Sequence, residues 1–434
     1  MGPVESGLAG IVLLLILFFL RMPIAFAMAF AGLIGFGYIV SWSTGASILA
    51  RDFLGQFYSY SLSAITMFVL MGSFAFVSGI GDRLYKAAYK LVGDMRGGLG
   101  IATVLGCAGF AAICGSTSAT AATMGRIVLP EMRRYGYNDT LATGTVASGG
   151  GLGILIPPST VFIVYGYLTE QSIGKLFVSG VIPGLILTAF FSLTVYLICR
   201  LRPEMGPPGE SIGWREKLKA LSTTIEALAL FFLVIGGLFL GWFSPVEAGG
   251  IGAAGALVIG LLRRQVTWGK FIDFTKDGLR TATMIICLIA GATIFGRFMA
   301  VTTIPFIIAD WVGGLPLHSS AIMAVVIIIF AVGGCFMDVM PLITLLVPVL
   351  YPVVIRLGYD PIWFGVIIVL MGILGVITPP VGVNVYVIKS ISPETPLENI
   401  FKGIFPFLAS ILVTTALVVI FPQIALFLTQ FAKY

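Results

Sequence analysis

Residues 152–158 read Leu-Gly-Ile-Leu-Ile-Pro-Pro, and residues 374–380 read Leu-Gly-Val-Ile-Thr-Pro-Pro. The second run begins 222 residues after the first in a chain of 434 residues, which is about half the length of the chain. Each run places a glycine and two consecutive prolines inside an apolar segment. Because proline removes a helical hydrogen-bond donor, both segments are predicted to be broken helices.

The same offset of 222 residues recurs along the chain. It links Pro23 to Pro245, Pro130 to Pro352, Arg134 to Arg356, Gly136 to Gly358 and Tyr137 to Tyr359. A single offset of this kind indicates a duplicated unit. We therefore divide the chain into two repeats, 1–210 and 211–434. Interrupted apolar segments at corresponding positions of two halves are typical of secondary transporters.

The composition indicates a membrane protein. Hydrophobic residues make up 58% of the chain and charged residues only 10%, against about 25% charged residues in soluble domains. Apolar runs long enough to approach a bilayer span recur throughout. They cover 7–20, 24–40, 61–80, 177–199, 227–242, 246–262, 282–301 and 404–431. We interpret the net charge of +6 as the basic bias of cytoplasmic loops and not as a nucleic-acid signal.

The basic residues predict the topology. The polar linker 200–219 carries five of them and is assigned to the cytoplasm, as are the basic stretches near 83–96 and 263–276. This assignment requires 99–135 to be a re-entrant helical hairpin from the inside and 321–357 one from the outside. Broken helices follow at 139–169 and 360–391. The predicted fold is an all-α polytopic membrane protein of two inverted repeats, each with five crossings, one hairpin and one broken helix. Both chain ends are predicted to lie outside.

The predicted chemistry lies at the four breaks. Backbone exposed at membrane depth is tolerated only where it packs in protein or lines a cavity. Freed carbonyls and the hydroxyls of Gly115-Ser116-Thr117-Ser118 are hard oxygen ligands that suit Na⁺, and Phe336-Met337-Asp338-Val339 forms the equivalent second tip. Helix N-termini at these breaks can hold a substrate carboxylate. The substrate-binding candidates from the breaks are Thr117, Pro157, Pro158, Pro379 and Asn384.

Three charged residues are predicted to lie within the membrane. Asp338 is the sharpest signal, because an acidic residue at this depth is costly and usually functional. A structural pair with a neighbouring donor is the alternative for Asp338. Arg126 and Arg297 are further substrate candidates, although each can instead pair with a carboxylate or extend to the interface.

Three motifs carry a resemblance to a known family. They are Gly-Ser-Thr-Ser-Ala-Thr-Ala-Ala-Thr at 115–123, Leu-Pro-Glu-Met at 129–132 and Ala-Ser-Gly-Gly-Gly-Leu-Gly-Ile-Leu-Ile-Pro-Pro-Ser at 147–159. Together they resemble the large membrane subunit of the tripartite ATP-independent periplasmic (TRAP) transporters, over essentially the whole chain. The resemblance implies a sodium-coupled, elevator-type importer of organic anions in the bacterial inner membrane. Its implied partners are a small four-helix membrane subunit and a periplasmic substrate-binding protein.

The resemblance also implies the ion site. It places sodium ligands at Ser116, Ser118, Gly149, Gly150, Asp338, Gly372 and Thr378, with Na⁺ as the coupling ion and no other cofactor. Arg126 stands where the family often has a small residue, which can mark a substrate subgroup. The implied substrates include sialic acid, other sugar acids, C4-dicarboxylates and 2-oxoacids, and the chain looks most similar to the sialic acid branch.

Two other classes of protein remain as alternatives. One is a stand-alone, ion-coupled carboxylate carrier that needs no binding protein. The other is a membrane subunit of a redox-driven pump, which is disfavoured by the single histidine and the lack of a CxxC motif. Catalytic residues are not predicted, because the chain is interpreted as a transport subunit and not as an enzyme.

Overall fold

The computed structural model describes residues 2–432. Met1, Lys433 and Tyr434 lie outside the described residues, and the predicted outer position of the two chain ends falls on them. The described chain is helical and contains no strand. This agrees with the predicted all-α membrane fold.

The helices before the linker are α1 (Pro3–Phe19), α2 (Ile24–Ile39), α3 (Trp42–Tyr58), α4 (Tyr60–Val77), α5 (Ile80–Val92), α6 (Gly98–Cys114), α7 (Thr117–Arg134), α8 (Asp139–Gly150), α9 (Thr160–Thr169) and α10 (Ile173–Leu201). Those after it are α11 (Trp214–Ser222), α12 (Ile225–Phe231), α13 (Gly237–Phe239), α14 (Pro245–Leu262), α15 (Trp268–Thr302), α16 (Ile304–Gly313), α17 (Ser319–Phe336), α18 (Val339–Arg356), α19 (Pro361–Ile377), α20 (Val383–Ile391), α21 (Leu397–Ile420) and α22 (Gln423–Leu426).

Seven of the described helices are long and apolar enough to cross a membrane, and an eighth span results if the bent pair Trp214–Ser222 and Ile225–Phe239 counts as one. A π-helical turn at Phe232–Gly236 joins α12 to α13. Single π-helical turns of this kind occur as bulges inside α-helices. The chain is therefore a multi-pass membrane protein.

The helix limits show how the predicted breaks are built. Gly115 and Ser116 separate α6 from α7, and Met337 and Asp338 separate α17 from α18. A 3₁₀ turn at Gly151–Ile154 and the two prolines after it separate α8 from α9. The second Pro-Pro pair lies between α19 and α20. The division into two inverted repeats remains a prediction.

Two predicted spans were wrong in extent. The span at 282–301 belongs to α15, which begins 14 residues earlier, at Trp268. The span at 404–431 is α21, which begins at Leu397 and ends at Ile420. The residues that extend both helices at their N-termini are mixed polar and apolar, so they do not form an apolar run.

The first segments of the broken helices form the centre of the protein. Every residue of α19 from Ile362 to Ile377 is buried, and so is every residue of α8 from Leu141 to Gly150. A helix that is apolar all round is stable when protein surrounds it on all sides. The break after α8 is thereby held inside the molecule, whereas the break after α19 reaches the surface, because Pro379 and Pro380 are exposed.

The two halves pack closely through glycine. A Cβ atom on Gly403 of α21 would lie 2.0 Å from the carbonyl oxygen of Thr140, and one on Gly144 of α8 would lie 2.3 Å from the backbone of Gly403. Small residues are the usual means by which membrane helices approach each other. The central helix of the first half is therefore fitted directly against a helix of the second.

Candidate functional site

The first hairpin tip is seated against the first proline break. Gly115 ends α6 with φ +67°, a left-handed conformation that favours glycine. Its carbonyl oxygen accepts a hydrogen bond of 2.9 Å from Thr160 Oγ1, just beyond Pro157-Pro158. A Cβ atom on Gly153 would lie 2.3 Å from the carbonyl oxygen of Ser116. The tip and the broken helix therefore meet backbone to backbone.

The second tip has the same arrangement with different residues. The amide of Val381, just after Pro379-Pro380, donates a hydrogen bond of 3.1 Å to the carbonyl oxygen of Cys335. A Cβ atom on Gly375 would lie 2.4 Å from the backbone of Gly334. Thr378 donates a hydrogen bond from its hydroxyl to the carbonyl oxygen of Leu374. Both tips are thus held by a glycine before the break and by a hydrogen bond from a residue after the break.

Ser116 and Asp338 begin equivalent helices. Ser116 is the N-cap of α7 and accepts a hydrogen bond of 3.4 Å from the amide of Ala119. Asp338 is the N-cap of α18, and its Oδ1 accepts a hydrogen bond of 2.7 Å from the amide of Val339. Its Oδ2 accepts no hydrogen bond within the described residues. The second tip therefore presents a carboxylate oxygen where the first presents a hydroxyl.

Residues of both hairpin tips line one cavity of about 640 Å³. Five of the predicted site residues line it: Ser116, Thr117, Ser118, Arg126 and Asp338. A further wall is a face of α15 that includes Phe274, Asp277, Thr281, Ile285 and Leu288. The cavity contains hydroxyls, helix N-termini and charges of both signs, which suits an ion and a polar solute.

The predicted glycine positions lie behind this cavity and do not line it. A Cβ atom on Gly150 would lie 2.6 Å from the Cβ of Ala121, and one on Gly149 would lie 2.9 Å from Cys107 Sγ. A Cβ atom on Gly372 would lie 2.7 Å from Val339. These glycines therefore allow the pre-break helices to approach the hairpins. Thr378 also lies away from the cavity wall.

The remaining substrate candidates are not brought to the cavity. Pro157 and Pro158 are buried, whereas Pro379 is exposed. Arg297 forms an ion pair with the buried Asp52 of α3, in which Nη2 donates to Oδ1 at 3.2 Å. This is the carboxylate pair that the sequence left open as an alternative for Arg297.

Asn384 is fully buried between the halves. Its Nδ2 donates a hydrogen bond of 3.1 Å to the carbonyl oxygen of Ala147, while its Oδ1 has no partner in the described chain. Ser148 Oγ, next to Ala147, is buried without a partner as well. Asn384 therefore joins α20 of the second half to α8 of the first.

Sequence reasoning missed Asp277 and Thr281 as cavity residues. They lie between the basic stretch near 263–276, which was assigned to the cytoplasm, and the predicted span at 282–301, so neither assignment included them. The signal was present in the spacing, because 274, 277, 281, 285 and 288 recur every three or four residues and so lie on one face of a helix. That face becomes visible only when α15 is known to begin at Trp268.

The fold and this site define a polytopic helical membrane protein of the transporter class. The chain matches the family described as "Tripartite ATP-independent periplasmic transporter, DctM component" over residues 11–424, and it belongs to that family of TRAP large permeases. It is a transport subunit and not an enzyme.

Its relatives support this assignment. The chain is 32% identical to the sialic acid TRAP transporter large permease protein SiaM of Vibrio cholerae, over 95% of this chain and 96% of SiaM. It is 36% identical to the C4-dicarboxylate TRAP transporter large permease protein DctM of Pseudomonas aeruginosa, over 85% and 86%. The crystal structure of the YdaH transporter of Alcanivorax borkumensis has a similar fold, with a TM-score of 0.62 and 14% identity over 86% of this chain and 88% of YdaH.

Proposed function

We propose that this chain is the transport subunit of a sodium-coupled importer that receives organic anions from a periplasmic binding protein. The observation that carries the proposal is the shared cavity, where Asp338 and the hydroxyls of Ser116 and Ser118 lie at two hairpin tips. Carboxylate, hydroxyl and carbonyl oxygens are the ligands of hard cations such as Na⁺. A carboxylate inside a membrane is costly unless a cation or proton balances it.

The substrate class is proposed to be an organic acid. The relatives carry two such classes in their names, sialic acid and C4-dicarboxylate. Arg126 and the N-terminus of α7 at Thr117 provide positive charge and partial positive charge on the same cavity wall, which suits a carboxylate.

The proposed mechanism is an elevator movement of the hairpins and broken helices. Four features support it: each tip is tied to its own proline break, α8 and α19 are buried together, both tips reach one cavity, and the local geometry recurs at the repeat offset. For example, Gly136 and Gly358 both have positive φ, at +74° and +78°. Inverted repeats allow such a body to take two exchanged positions against the rest of the protein.

The cavity is proposed to open to the cytoplasm in this structure. Its walls include Arg126, Phe76 and the N-terminal part of α15 near Phe274. Phe76 lies at the end of α4 and Phe274 near the start of α15, at helix ends that the basic loops place inside, and Arg126 lies in the half of α7 that leads to the same side. Import would then end in the conformation described here.

The proposal is tested by reconstitution. Proteoliposomes should take up substrate only when this chain, a small four-helix membrane subunit and a periplasmic binding protein are all present with an inward sodium gradient. Replacing Na⁺ by K⁺ at equal ionic strength is the control. Robust uptake of free substrate by this chain alone would instead favour the stand-alone carboxylate carrier.

A further inference from the structure

The cytoplasmic part of the cavity contains two opposed charges that the sodium site does not use. Among the described residues that line the cavity, the charged ones are Arg126, Asp277 and Asp338. Asp338 lies at the second hairpin tip and is assigned to the ion. Arg126 and Asp277 remain, one on α7 and the other on α15. We refer to them as the mouth pair.

Both members of the mouth pair line the cavity on the sides of α7 and α15 that lead to the predicted cytoplasmic ends of these helices. Arg126 lies ten residues beyond Ser116 along α7, or about 15 Å at 1.5 Å per residue. Asp277 lies eleven residues before Leu288 along α15, or about 16 Å. Ser116 and Leu288 both line the cavity, and the ends of α7 and α15 that are predicted to be cytoplasmic lie in these directions. The two charges therefore lie on different walls, away from the tips.

Neither side chain of the mouth pair is satisfied by the protein. Within the described residues, Arg126 and Asp277 form no ion pair and no side-chain hydrogen bond, and both are exposed residues that line the cavity. Other arginines of the chain do have carboxylate partners: Arg133 pairs with Asp139, Arg263 with Glu226 and Arg356 with Asp310. An arginine and an aspartate that line one cavity without partners are available to a solute.

The charges specify what kind of solute fits. A guanidinium binds a carboxylate with paired N–H donors. A carboxylate on the facing wall accepts hydrogen bonds from hydroxyl, amide or ammonium groups and repels a second carboxylate. With Asp338 balanced by Na⁺, the cavity contains one positive and one negative charge. It therefore matches a molecule with an acidic end and a donor-rich end.

We propose that Arg126 and Asp277 form a subsite that selects monocarboxylates bearing hydrogen-bond donors and rejects dicarboxylates. This inference rests on the proposed transport function and narrows its substrate class to hydroxylated acids such as sugar acids. Arg126 holds the carboxylate, and Asp277 accepts hydrogen bonds from the other end of the molecule. Because Asp277 belongs to α15, outside the proposed moving body, the pair is complete only in the inward-facing position.

Matched sugar acids test the proposal. Gluconate and glucarate share one carbon chain and differ only at the terminal group, which is a hydroxymethyl group in gluconate and a carboxylate in glucarate. Galactonate with galactarate and glycerate with tartronate make further pairs. A reporter cysteine is placed at Ala122, which lines the cavity, in the complex with the small membrane subunit and without native cysteines. Each acid is then scored by how far it slows maleimide labelling in saturating Na⁺.

We expect the monocarboxylate of at least one pair to protect the reporter at a concentration about tenfold lower than its dicarboxylate partner. Asp277→Asn should abolish that difference, and Asp277→Lys should reverse it. Arg126→Gln should weaken protection by both acids. Asp273→Asn, on the same helix but away from the cavity wall, is the matched control and should keep the wild-type preference.

Stronger protection by the dicarboxylates, protection by no acid of any pair, or a preference unchanged in Asp277→Lys would overturn the proposal. The sodium dependence of protection distinguishes a failure of the mouth-pair proposal from a failure of the proposed transport function. Protection that needs Na⁺ but favours dicarboxylates contradicts only the mouth pair. Protection that is equal in Na⁺ and K⁺ contradicts sodium coupling itself.

Discussion

Ser116 and Asp338 occupy the same position in the two hairpins, since each is the N-cap residue of the helix that leaves the tip. An N-cap oxygen normally accepts an amide hydrogen bond and stabilises the first turn. Asp338 uses Oδ1 for this purpose, and Oδ2 remains available. The sequence located both residues because the offset of 222 aligns them. It did not reveal that both are caps, since capping depends on where each helix begins.

Asp338→Asn is expected to weaken the apparent sodium affinity of the assembled transporter about tenfold, equivalent to about 1.4 kcal/mol. The amide oxygen still accepts the cap hydrogen bond from Val339, so folding should be retained, while the charge is lost. A sodium titration of substrate uptake measures the effect.

The matched control for Asp338→Asn is Asp360→Asn. Asp360 caps α19 through hydrogen bonds from the amides of Ile362 and Trp363, and the repeat places Asn138 at the equivalent position before α8. This variant should leave the sodium titration unchanged. An unaltered half-saturation point in Asp338→Asn would exclude Asp338 from the ion site.

Gly153→Ala is expected to destabilise the protein by about 1–3 kcal/mol through overpacking. The new Cβ atom would lie 2.3 Å from the carbonyl oxygen of Ser116 and 2.8 Å from Thr120 Oγ1. Thermal unfolding of the purified protein measures the loss. Gly250→Ala in α14 is the control, because its Cβ atom meets nothing within 4 Å. Equal melting temperatures for the two variants would contradict the close seating of the first tip.

At the scale of helices, the positions of glycine and proline made the interruptions of the helices predictable. Gly115, the two Pro-Pro pairs and the turn glycines Gly136 and Gly358 are visible in the sequence because few other residues suit those backbone positions. Amphipathic helices were harder to place. The helix α3 and the N-terminal part of α15 contain no long apolar run, so hydropathy alone gave no reason to place a helix there. Asp277 was missed for that reason.

Arg133 joins elements of the two halves at one end of the molecule. It forms ion pairs with Asp139, at the start of α8, and with Glu394, in the loop after α20. It also donates a hydrogen bond of 3.1 Å to Thr395 Oγ1. The cluster of Arg133 with Asp139, Glu394 and Thr395 therefore links the end of the first hairpin to the end of the second broken helix.

Arg133→Gln is expected to destabilise the protein by about 1 kcal/mol, because hydrogen bonds to charged groups stabilise a fold but exposure to solvent weakens those between partly exposed groups. The comparison is Arg134→Gln, the adjacent exposed arginine, which should be nearly neutral. Both are measured by thermal unfolding. If Arg134→Gln proves the more destabilising of the two, the cluster does not fasten these elements.

At the scale of the whole molecule, the arrangement of the halves was beyond sequence reasoning. The repeat predicts that equivalent parts exist, but not which surfaces meet. The seating of Gly403 on α8, the hydrogen bond from Asn384 to Ala147 and the ion pair of Arg297 with Asp52 all join residues far apart in the chain. Such contacts depend on shape and distance, which hydropathy and spacing do not encode.

The proposed moving body contacts the rest of the protein through a specific hydrogen bond. Tyr167 in α9 donates from its hydroxyl to Gln56 Oε1 of α3 at 2.7 Å. The first residue belongs to the segments proposed to move and the second to the segments proposed to stay. This bond must break if the two bodies slide past each other. By contrast, a hydrogen bond of 2.7 Å joins Thr194 of α10 to Ser410 of α21, beside the edge-on contact of Phe191 with Phe407. Both helices lie outside the hairpins and broken helices, so this bond need not break during the proposed movement.

The most direct test of sodium-coupled movement is therefore uptake after reversible cross-linking of Gln56→Cys with Tyr167→Cys, in a chain without native cysteines. A short reducible thiol cross-linker should abolish sodium-driven uptake by the three-component system, and reduction should restore it. Cross-linking Thr194→Cys with Ser410→Cys should leave uptake unchanged. Full uptake with the Gln56–Tyr167 pair completely cross-linked would contradict movement of the hairpins and broken helices against α3.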